Sequence, residues 1–135
     1  DKKKIKSFSN QLLDDFRIKA PNTLVKASSL SGGNQQKIVI ARVFSEDPDI
    51  IIVAQPTRGV DIGAMEYIHE RLLDLRDQGK AILLISADLD EVKCLSDRLM
   101  VMYDGELVSE GRPEDFTDME LGLLMTGAKG GQRHE

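Results

Sequence analysis

The stretch of sequence that decides the fold is residues 49–61, Asp49-Ile50-Ile51-Ile52-Val53-Ala54-Gln55-Pro56-Thr57-Arg58-Gly59-Val60-Asp61. Ile50–Ala54 form a short apolar run rich in β-branched residues, which is typical of a strand buried on both faces in a parallel sheet. Gln55–Gly59 predict a turn, because proline and glycine interrupt regular structure. The stretch therefore predicts a buried strand followed directly by a turn.

The residues after this stretch predict a second strand, joined to the first by a helix. A helix is expected over Gly63–Gln78, with an apolar stripe at helical spacing formed by Met65, Ile68, Leu72 and Leu75. Gly79 stands where a helix C-terminus favours glycine. Ala81–Ile85 then predict another buried strand. Strand, crossover helix and strand make a βαβ unit, in which the two strands are parallel.

The residues before the first strand predict two helices. Asp1–Lys6 contain four lysines and predict a solvated or frayed chain end. Ser7–Ile18 predict a short helix from their apolar spacing. Ser31 can cap a second helix by accepting a hydrogen bond from a free backbone N–H group, and this helix ends before Asp47-Pro48.

The C-terminal third predicts short elements only. Asp88-Leu89-Asp90-Glu91 indicate a capping box that opens a short helix. Asp104-Gly105 are a strong hairpin signal between Arg98–Tyr103 and Glu106–Ser109. Short helices are expected over Pro113–Phe116 and Asp118–Met125. Residues 127–135 are polar and rich in glycine, which predicts a disordered tail.

Composition excludes several classes of protein. Of 135 residues 41% are apolar and 30% are charged, the balance of an ordinary globular domain. No apolar run approaches the about 20 residues that span a bilayer, and no apolar segment follows the charged N-terminus, as a secretory signal would require. The single cysteine, Cys94, excludes an internal disulfide and a multi-cysteine metal site. A net charge of −5 and the absence of tryptophan argue against a nucleic-acid-binding surface.

The residues Ser31-Gly32-Gly33 are the strongest chemical signal in the sequence. Two glycines allow a ligand to approach the backbone closely. A helix N-terminus adds unpaired N–H groups and positive dipole character, and Ser31 adds a hydroxyl group. These features together suit a phosphate group. The same three residues can also form nothing more than a capped helix with a flexible entry.

Several motifs in sequence order resemble the ATP-binding cassette (ABC) family. Leu30–Lys37 read Leu-Ser-Gly-Gly-Asn-Gln-Gln-Lys and are similar to the family's signature motif. Ile50–Asp61 resemble its Walker B strand and D-loop, and Ser86-Ala87-Asp88 stand where the family has its switch histidine. The hairpin around Asp104-Gly105 matches its C-terminal pattern. The resemblance covers 29–116 and is strongest to the second cassette of importers for simple sugars and nucleosides.

The resemblance implies an α/β fold: a partial ABC-type P-loop ATPase core, with a mostly parallel sheet, a fragment of the helical subdomain and a C-terminal hairpin. It makes residues 1–135 a C-terminal fragment of one nucleotide-binding domain. Within it we expect a helical and signature region at 1–45, core elements at 46–126 and a tail at 127–135. The Walker A pattern that holds the phosphates of ATP is absent from the sequence, so we expect the isolated chain to be inactive and assign the ATPase activity to the parent protein.

Three positions depart from the family's catalytic pattern. Ala54 and Gln55 occupy the places of the family's Asp-Glu pair. Alanine offers no oxygen toward Mg²⁺, and the neutral amide of Gln55 cannot act as a general base. Ala87 replaces the switch histidine, which would hydrogen-bond the terminal phosphate. The resemblance therefore implies that Gln55 and Ala87 are degenerate catalytic positions. No residue of this chain is expected to ligate a metal directly.

The signature side, in contrast, matches the family. The resemblance implies that Ser31, Gly32 and Gly33 contact ATP held by a partner cassette in a head-to-tail dimer. Gln35 would support that loop, and Asp61 would communicate across the same interface. ATP with Mg²⁺ is the implied cofactor and membrane permease subunits are the implied partners, with no nucleic acid. The implied location is the cytoplasm, peripheral at the inner face of the cell membrane.

Two other functions are compatible with the sequence. A soluble ABC protein without a transport role would have the same motifs, although such proteins usually carry basic or long inserted segments that are missing here. A catalytically inactive interaction module would explain Ala54, Gln55 and Ala87, although Ser31-Gly32-Gly33 are retained. Association with permease subunits or with ribosomes would distinguish the first alternative, and ATP-dependent dimerisation the second.

Overall fold

The structure, a computed structural model, describes residues 1–128. The α-helices are α1 (Lys2–Asp15), α2 (Gly32–Phe44), α3 (Ile62–Asp77), α4 (Leu89–Leu95) and α5 (Asp118–Met125). The strands are β1 (Ile50–Ala54), β2 (Ala81–Ile85), β3 (Leu99–Tyr103) and β4 (Glu106–Gly111), and short 3₁₀ helices cover Ala27–Ser29 and Pro113–Asp115. The chain divides into two compact units, Asp1–Leu83 and the residues from Leu84 onward.

The first unit is built on the predicted strand–helix–strand sequence. β1 pairs with β2 in a two-stranded parallel sheet. At the start of the two strands, the Ala81 amide donates to the Asp49 carbonyl oxygen at 2.9 Å. α3 connects the strands and ends where Gly79 takes a φ of +85°. The amides of Gly79 and Lys80 then donate back into the last turn of α3, as in a Schellman motif. The prediction of a βαβ unit is confirmed.

The prediction that β1 is buried on both faces is wrong for this chain. Ile51 is 2% exposed, whereas its neighbours Ile50 and Ile52 are 72% and 67% exposed. Consecutive side chains of a strand point to opposite faces of a sheet, and this chain covers only one of the two faces. β2 shows the same alternation, with Leu83 43% exposed. The sequence pattern of a strand indicates that one of its faces is apolar, but it does not indicate which element packs on that face.

The N-terminal lysines belong to a helix, which corrects the expectation of a frayed end. Asp1 caps α1 by accepting from the Lys3 amide at 2.9 Å, so helical structure begins five residues earlier than the sequence predicts. The lysines remain exposed to solvent, as predicted. Phe16, at the end of α1, is buried against Phe44, at the end of α2, with ring centroids 6.3 Å apart.

The second unit contains the predicted hairpin and short helices. Asp104 and Gly105 take φ values of +48° and +80°, the left-handed pair that a tight type I′ hairpin turn requires. The register of β3 against β4 shifts between Val101 and Met102. Leu99, Val101 and Leu121 form the core of this unit, so that α5 packs on one face of the hairpin.

Two features are absent from the part of the chain that the structure describes. No helix within residues 1–128 combines the length and the apolar character needed to cross a bilayer. The same residues contain no cluster of three or more His, Cys, Asp or Glu side chains that could hold a metal ion. Most of the predicted disordered tail, 129–135, lies outside the described residues. Gly127 and Ala128 form a turn that ends α5.

Candidate functional site

The N-terminus of α2 carries the predicted phosphate-binding residues. Ser31 is its N-cap, with extended backbone and a side-chain oxygen that accepts from the Asn34 amide at 3.4 Å. The N–H groups of Gly32 and Gly33 are the first two of the helix and therefore have no intrahelical acceptor. Ser31 and Gly32 are exposed, whereas Gly33 is buried. This end of α2 thus offers a hydroxyl and backbone N–H groups at a solvent-accessible position.

The side chain of Gln35 contacts the loop that leads into α2. Its Nε2 atom donates to the carbonyl oxygen of Leu30 at 2.8 Å, and its backbone amide donates to the carbonyl oxygen of Ser31 at 2.9 Å. Both contacts end on the residues that enter the helix. The side chain and the amide of Gln35 thus hydrogen-bond to the two residues that lead into α2, and its supporting role stays a prediction.

Asp61 lies beside the buried glycine of the same loop. Its Oδ1 atom caps α3 by accepting from the Ala64 amide at 2.9 Å. A Cβ atom placed on Gly33 would lie 3.0 Å from Asp61 Oδ2 and 3.0 Å from the Cβ atom of Ala64, closer than van der Waals contact allows. Gly33 is therefore glycine because the start of α2 packs directly on the start of α3. The structure brings Ser31, Gly32, Gly33, Gln35 and Asp61 into one cluster of the first unit.

Gln55 lies where β1 ends and the turn begins. Its φ of +49° is a left-handed conformation that non-glycine residues seldom adopt. Its carbonyl oxygen accepts from the Arg58 amide at 3.3 Å, which closes the turn. The next residue, Pro56, is fully buried, so the turn is packed into the protein interior at this residue. The side chain of Gln55 is half-buried and uncharged, and that of Ala54 is exposed and carries no polar atom.

Ala87 belongs to the second unit. It is exposed in the loop between β2 and α4, next to Ser86, whose hydroxyl oxygen accepts from the Asp88 amide at 3.1 Å. Asp88 in turn caps α4 by accepting from the Glu91 amide at 3.1 Å, as the sequence predicts. The loop therefore has a defined conformation, and the exposed side chain of Ala87 is a methyl group without hydrogen-bonding capacity.

Curated proteins of similar sequence include import and transport ATP-binding proteins of bacteria and archaea. The nucleoside import ATP-binding protein NupA of Lactococcus lactis subsp. cremoris is 51% identical over 127 residues, which cover 94% of this chain and 25% of that protein. The guanosine import ATP-binding protein NupO of Bacillus subtilis is 44% identical over 89% of this chain and 24% of its own length. The ribose import ATP-binding protein RbsA of Yersinia pestis is 40% identical over 94% and 25%. The chain spans about a quarter of the length of the curated relatives it matches.

Solved structures of similar fold are ATP-binding cassettes. One is a dimeric cassette in a post-hydrolysis state, bound to ADP and Pi, with a TM-score of 0.68 and 27% identity over 77% of this chain and 45% of that chain. Another is a nucleotide-free cassette from an ABC transporter, with a TM-score of 0.69 and 28% identity over 91% and 47%. No protein-family model matches the chain. In sequence and in fold, the chain is similar to the C-terminal part of ABC ATP-binding cassettes.

These similarities confirm the resemblance to ABC cassettes and the α/β cassette fold predicted from the sequence. The roles of the individual site residues stay predictions. Ser31, Gly32 and Gly33 stand at a helix N-terminus as expected, and Asp61 is adjacent to Gly33. Gln55 and Ala87 belong to different units of the chain, and each is described above within its own unit.

The structure shows a group of residues around α2, centred on Tyr67, that the sequence did not predict. Tyr67 donates its hydroxyl to the carbonyl oxygen of Asp15 at 2.9 Å. Its ring lies 4.7 Å from Lys37 Nζ and 5.4 Å from the guanidinium carbon of Arg17. Burial raises the pKa of Tyr67, an effect that the charges of Arg71 and Arg17 oppose. The position of Tyr67 directly before the buried Ile68 is the sequence signal that could have found it.

Proposed function

We propose that the protein containing this chain is the ATP-binding subunit of an importer for simple sugars or nucleosides. The observation that carries the proposal is the 51% identity to a nucleoside import ATP-binding protein over 94% of the chain. Relatives named for ribose and glucose import are 40% and 45% identical. Because the chain spans only part of these proteins, the activity, solute and partners of the whole protein belong to the proposal.

We infer that the N-terminus of α2 binds the terminal phosphate of ATP held by a partner cassette in a head-to-tail dimer. The exposed Ser31 and Gly32 and the free N–H groups of the first turn support this role, because helix N-termini attract anions. Mg²⁺ would arrive with the nucleotide and its own ligands. The side chain of Ala54 has no oxygen to contribute to it.

The site on the core side of this cassette is proposed to hydrolyse ATP slowly. Gln55 can orient a water molecule through its amide but cannot take a proton from it. The methyl side chain of Ala87 cannot hydrogen-bond a phosphate group. Loss of one positioned polar group typically costs about 100-fold or more in rate, so a complex with one competent and one weakened site is the expected arrangement. The subunit would bind permease subunits at the cytoplasmic face of the membrane.

The test is the Ser31→Arg variant in the intact protein, assembled with its permease. A long cation at this position should block the phosphate-binding end of α2 and abolish most ATP turnover. The matched control is Ser29→Arg, because Ser29 is also exposed and lies only two residues away, with its hydroxyl on the Lys26 carbonyl oxygen at 2.8 Å. Turnover close to the parent's in Ser31→Arg would contradict the proposed role of the signature residues.

A second candidate function is an interaction module without nucleotide chemistry, which the uncharged Gln55 and the apolar Ala54 favour. The two functions differ in whether ATP drives association. Mixed with a competent partner cassette, the parent protein should dimerise when ATP is added, and Ser31→Arg should remove that response. Dimerisation that is independent of ATP in both proteins would support the interaction module instead.

A further inference from the structure

Asn34 surrounds the hydroxyl oxygen of Ser31 with donors. The Ser31 Oγ atom accepts from the side-chain Nδ2 of Asn34 at 3.0 Å and from its backbone amide at 3.4 Å. A serine hydroxyl has one hydrogen to donate and two lone pairs with which to accept. Both contacts occupy lone pairs, so the hydroxyl hydrogen is left to point away from Asn34.

The orientation of the Asn34 amide is fixed by a third group. The backbone amide of Lys19 donates to the Asn34 side chain at 2.8 Å. A backbone N–H group can only donate, so the atom that faces it must be the oxygen, and the atom that faces Ser31 must be the nitrogen. Exchanging the oxygen and nitrogen of Asn34 would therefore lose the hydrogen bond from the Lys19 amide and reverse the direction of the bond with the Ser31 hydroxyl.

The segment that fixes Asn34 is itself held to α2. Lys37, one turn further along the helix, donates through Nζ to the carbonyl oxygen of Arg17 at 3.3 Å. Residues 17–19 are thus attached to α2 at two places, by Asn34 and by Lys37. Asn34 connects this segment to the hydroxyl of Ser31 through a single side chain.

We propose that Asn34 is a positioning residue that directs the hydroxyl hydrogen of Ser31 toward the phosphate bound at the start of α2. A phosphate oxygen only accepts hydrogen bonds, so a serine whose hydrogen turned elsewhere would present a repulsive lone pair. Asn34 prevents this by occupying the accepting side of the hydroxyl. The inference rests on the proposed function, because it requires a phosphate group at Ser31.

The Asn34→Asp substitution tests the inference with little disturbance of the fold. The new carboxylate keeps an acceptor for the Lys19 amide, and a negative charge in the first turn is favourable for a helix. It replaces the donor toward Ser31 by an acceptor, so the hydroxyl hydrogen turns to the carboxylate and away from the ligand. We expect kcat/KM for ATP of the assembled importer to fall about 10- to 100-fold, the range for a hydrogen bond to a charged group.

The same substitution in a Ser31→Ala background separates positioning from charge repulsion. If Asn34 acts through the hydroxyl, Asn34→Asp changes kcat/KM by less than about twofold once that hydroxyl is absent, because residues that act as a unit are not additive. Equal losses in both backgrounds would overturn the inference, since a repulsive or structural effect does not need the hydroxyl. The charge-matched control is Asn22→Asp, which retains the acceptor for the Leu24 amide at 2.9 Å and should leave turnover unchanged.

The two levels of the proposal fail in different ways. If Ser31→Ala alone leaves turnover unchanged, the proposed role of Ser31 is wrong, and the role of Asn34 fails with it. If Ser31→Ala lowers turnover while Asn34→Asp does not, the site is correct and only the positioning role of Asn34 is overturned.

Discussion

The close packing of Gly33 gives the sharpest prediction about stability. In Gly33→Ala the new Cβ atom would lie 3.0 Å from the Cβ atom of Ala64 and 3.0 Å from Asp61 Oδ2. In Gly32→Ala, one residue earlier, the nearest atom to the new Cβ would be the Gly59 carbonyl oxygen at 3.4 Å. The two substitutions have the same chemistry at consecutive residues, so each serves as the control for the other.

The magnitude follows from two opposing effects. Replacing glycine by alanine at a compatible position stabilises a protein by about 0.4–1 kcal/mol, because the unfolded chain loses freedom. Overpacking costs about 1–3 kcal/mol, and Asp61 cannot move aside without weakening its cap on the Ala64 amide. We expect Gly33→Ala to destabilise the region by about 1–2 kcal/mol on this balance, and Gly32→Ala to be neutral or slightly stabilising.

Hydrogen–deuterium exchange of the intact protein without nucleotide measures this difference locally. For a loss of 1–2 kcal/mol, the peptides that cover α2 and the start of α3 should exchange about 5–30 times faster in Gly33→Ala than in the parent. The corresponding peptides of Gly32→Ala should exchange at the parental rate or more slowly. Equal exchange in the two variants would refute the reasoning that the contact with α3 requires glycine at position 33.

Two ionisable side chains give further predictions. Tyr67→Phe removes the hydroxyl bonded to the Asp15 carbonyl oxygen, and should lower the free energy of unfolding by about 0.5–1.5 kcal/mol in urea titrations. Burial raises the pKa of Tyr67 above 10.0 in the folded protein. The difference in unfolding free energy between parent and variant should therefore hold below pH 10 and shrink as the pH rises through the raised pKa. A difference that stays constant across this range would contradict the prediction. Lys80, which pairs with Asp47 at 2.9 Å and Asp49 at 3.4 Å, has its pKa raised above 10.5, chiefly by the hydrogen bond to Asp47. Lys80→Gln should therefore lower the melting temperature at neutral pH. The decrease should be smaller at high salt and should disappear once the pH exceeds the raised pKa. A decrease that is insensitive to salt would show that packing, not charge, is responsible.

Local signals explain how much of the fold could be predicted from the sequence. The sequence predicts Ser31 as a helix cap, and the structure shows Asp61 as another. A cap of this kind is a local feature, because the side-chain oxygen accepts from an amide only three residues later in the chain. Asp104-Gly105 predicted their hairpin for the same reason, since the turn depends on the conformation of two consecutive residues. The βαβ unit followed from apolar periodicity, which reports which face of an element is apolar.

The features that the sequence did not predict depend on contacts between distant residues. The exposure of Ile50 and Ile52 is decided by what packs on the sheet, which the pattern of the strand does not contain. Asn34 reads as an ordinary polar residue of a first helical turn, and its role depends on the Lys19 amide, 15 residues earlier. The position of Asp61 beside Gly33 likewise requires α2 and α3 to be packed together.

The carboxylate of Asp61 has a mechanical consequence. Its two oxygen atoms are joined by one carbon atom at a fixed separation, and they serve two different helices: Oδ1 holds the Ala64 amide of α3, and Oδ2 lies against Gly33 of α2. Because Oδ1 is held by the Ala64 amide, the carboxylate cannot turn Oδ2 away from Gly33 without weakening the cap of α3. The two helix starts are therefore coupled by direct contact, and a movement of α3 toward α2 presses Asp61 and Ala64 onto the backbone of Gly33.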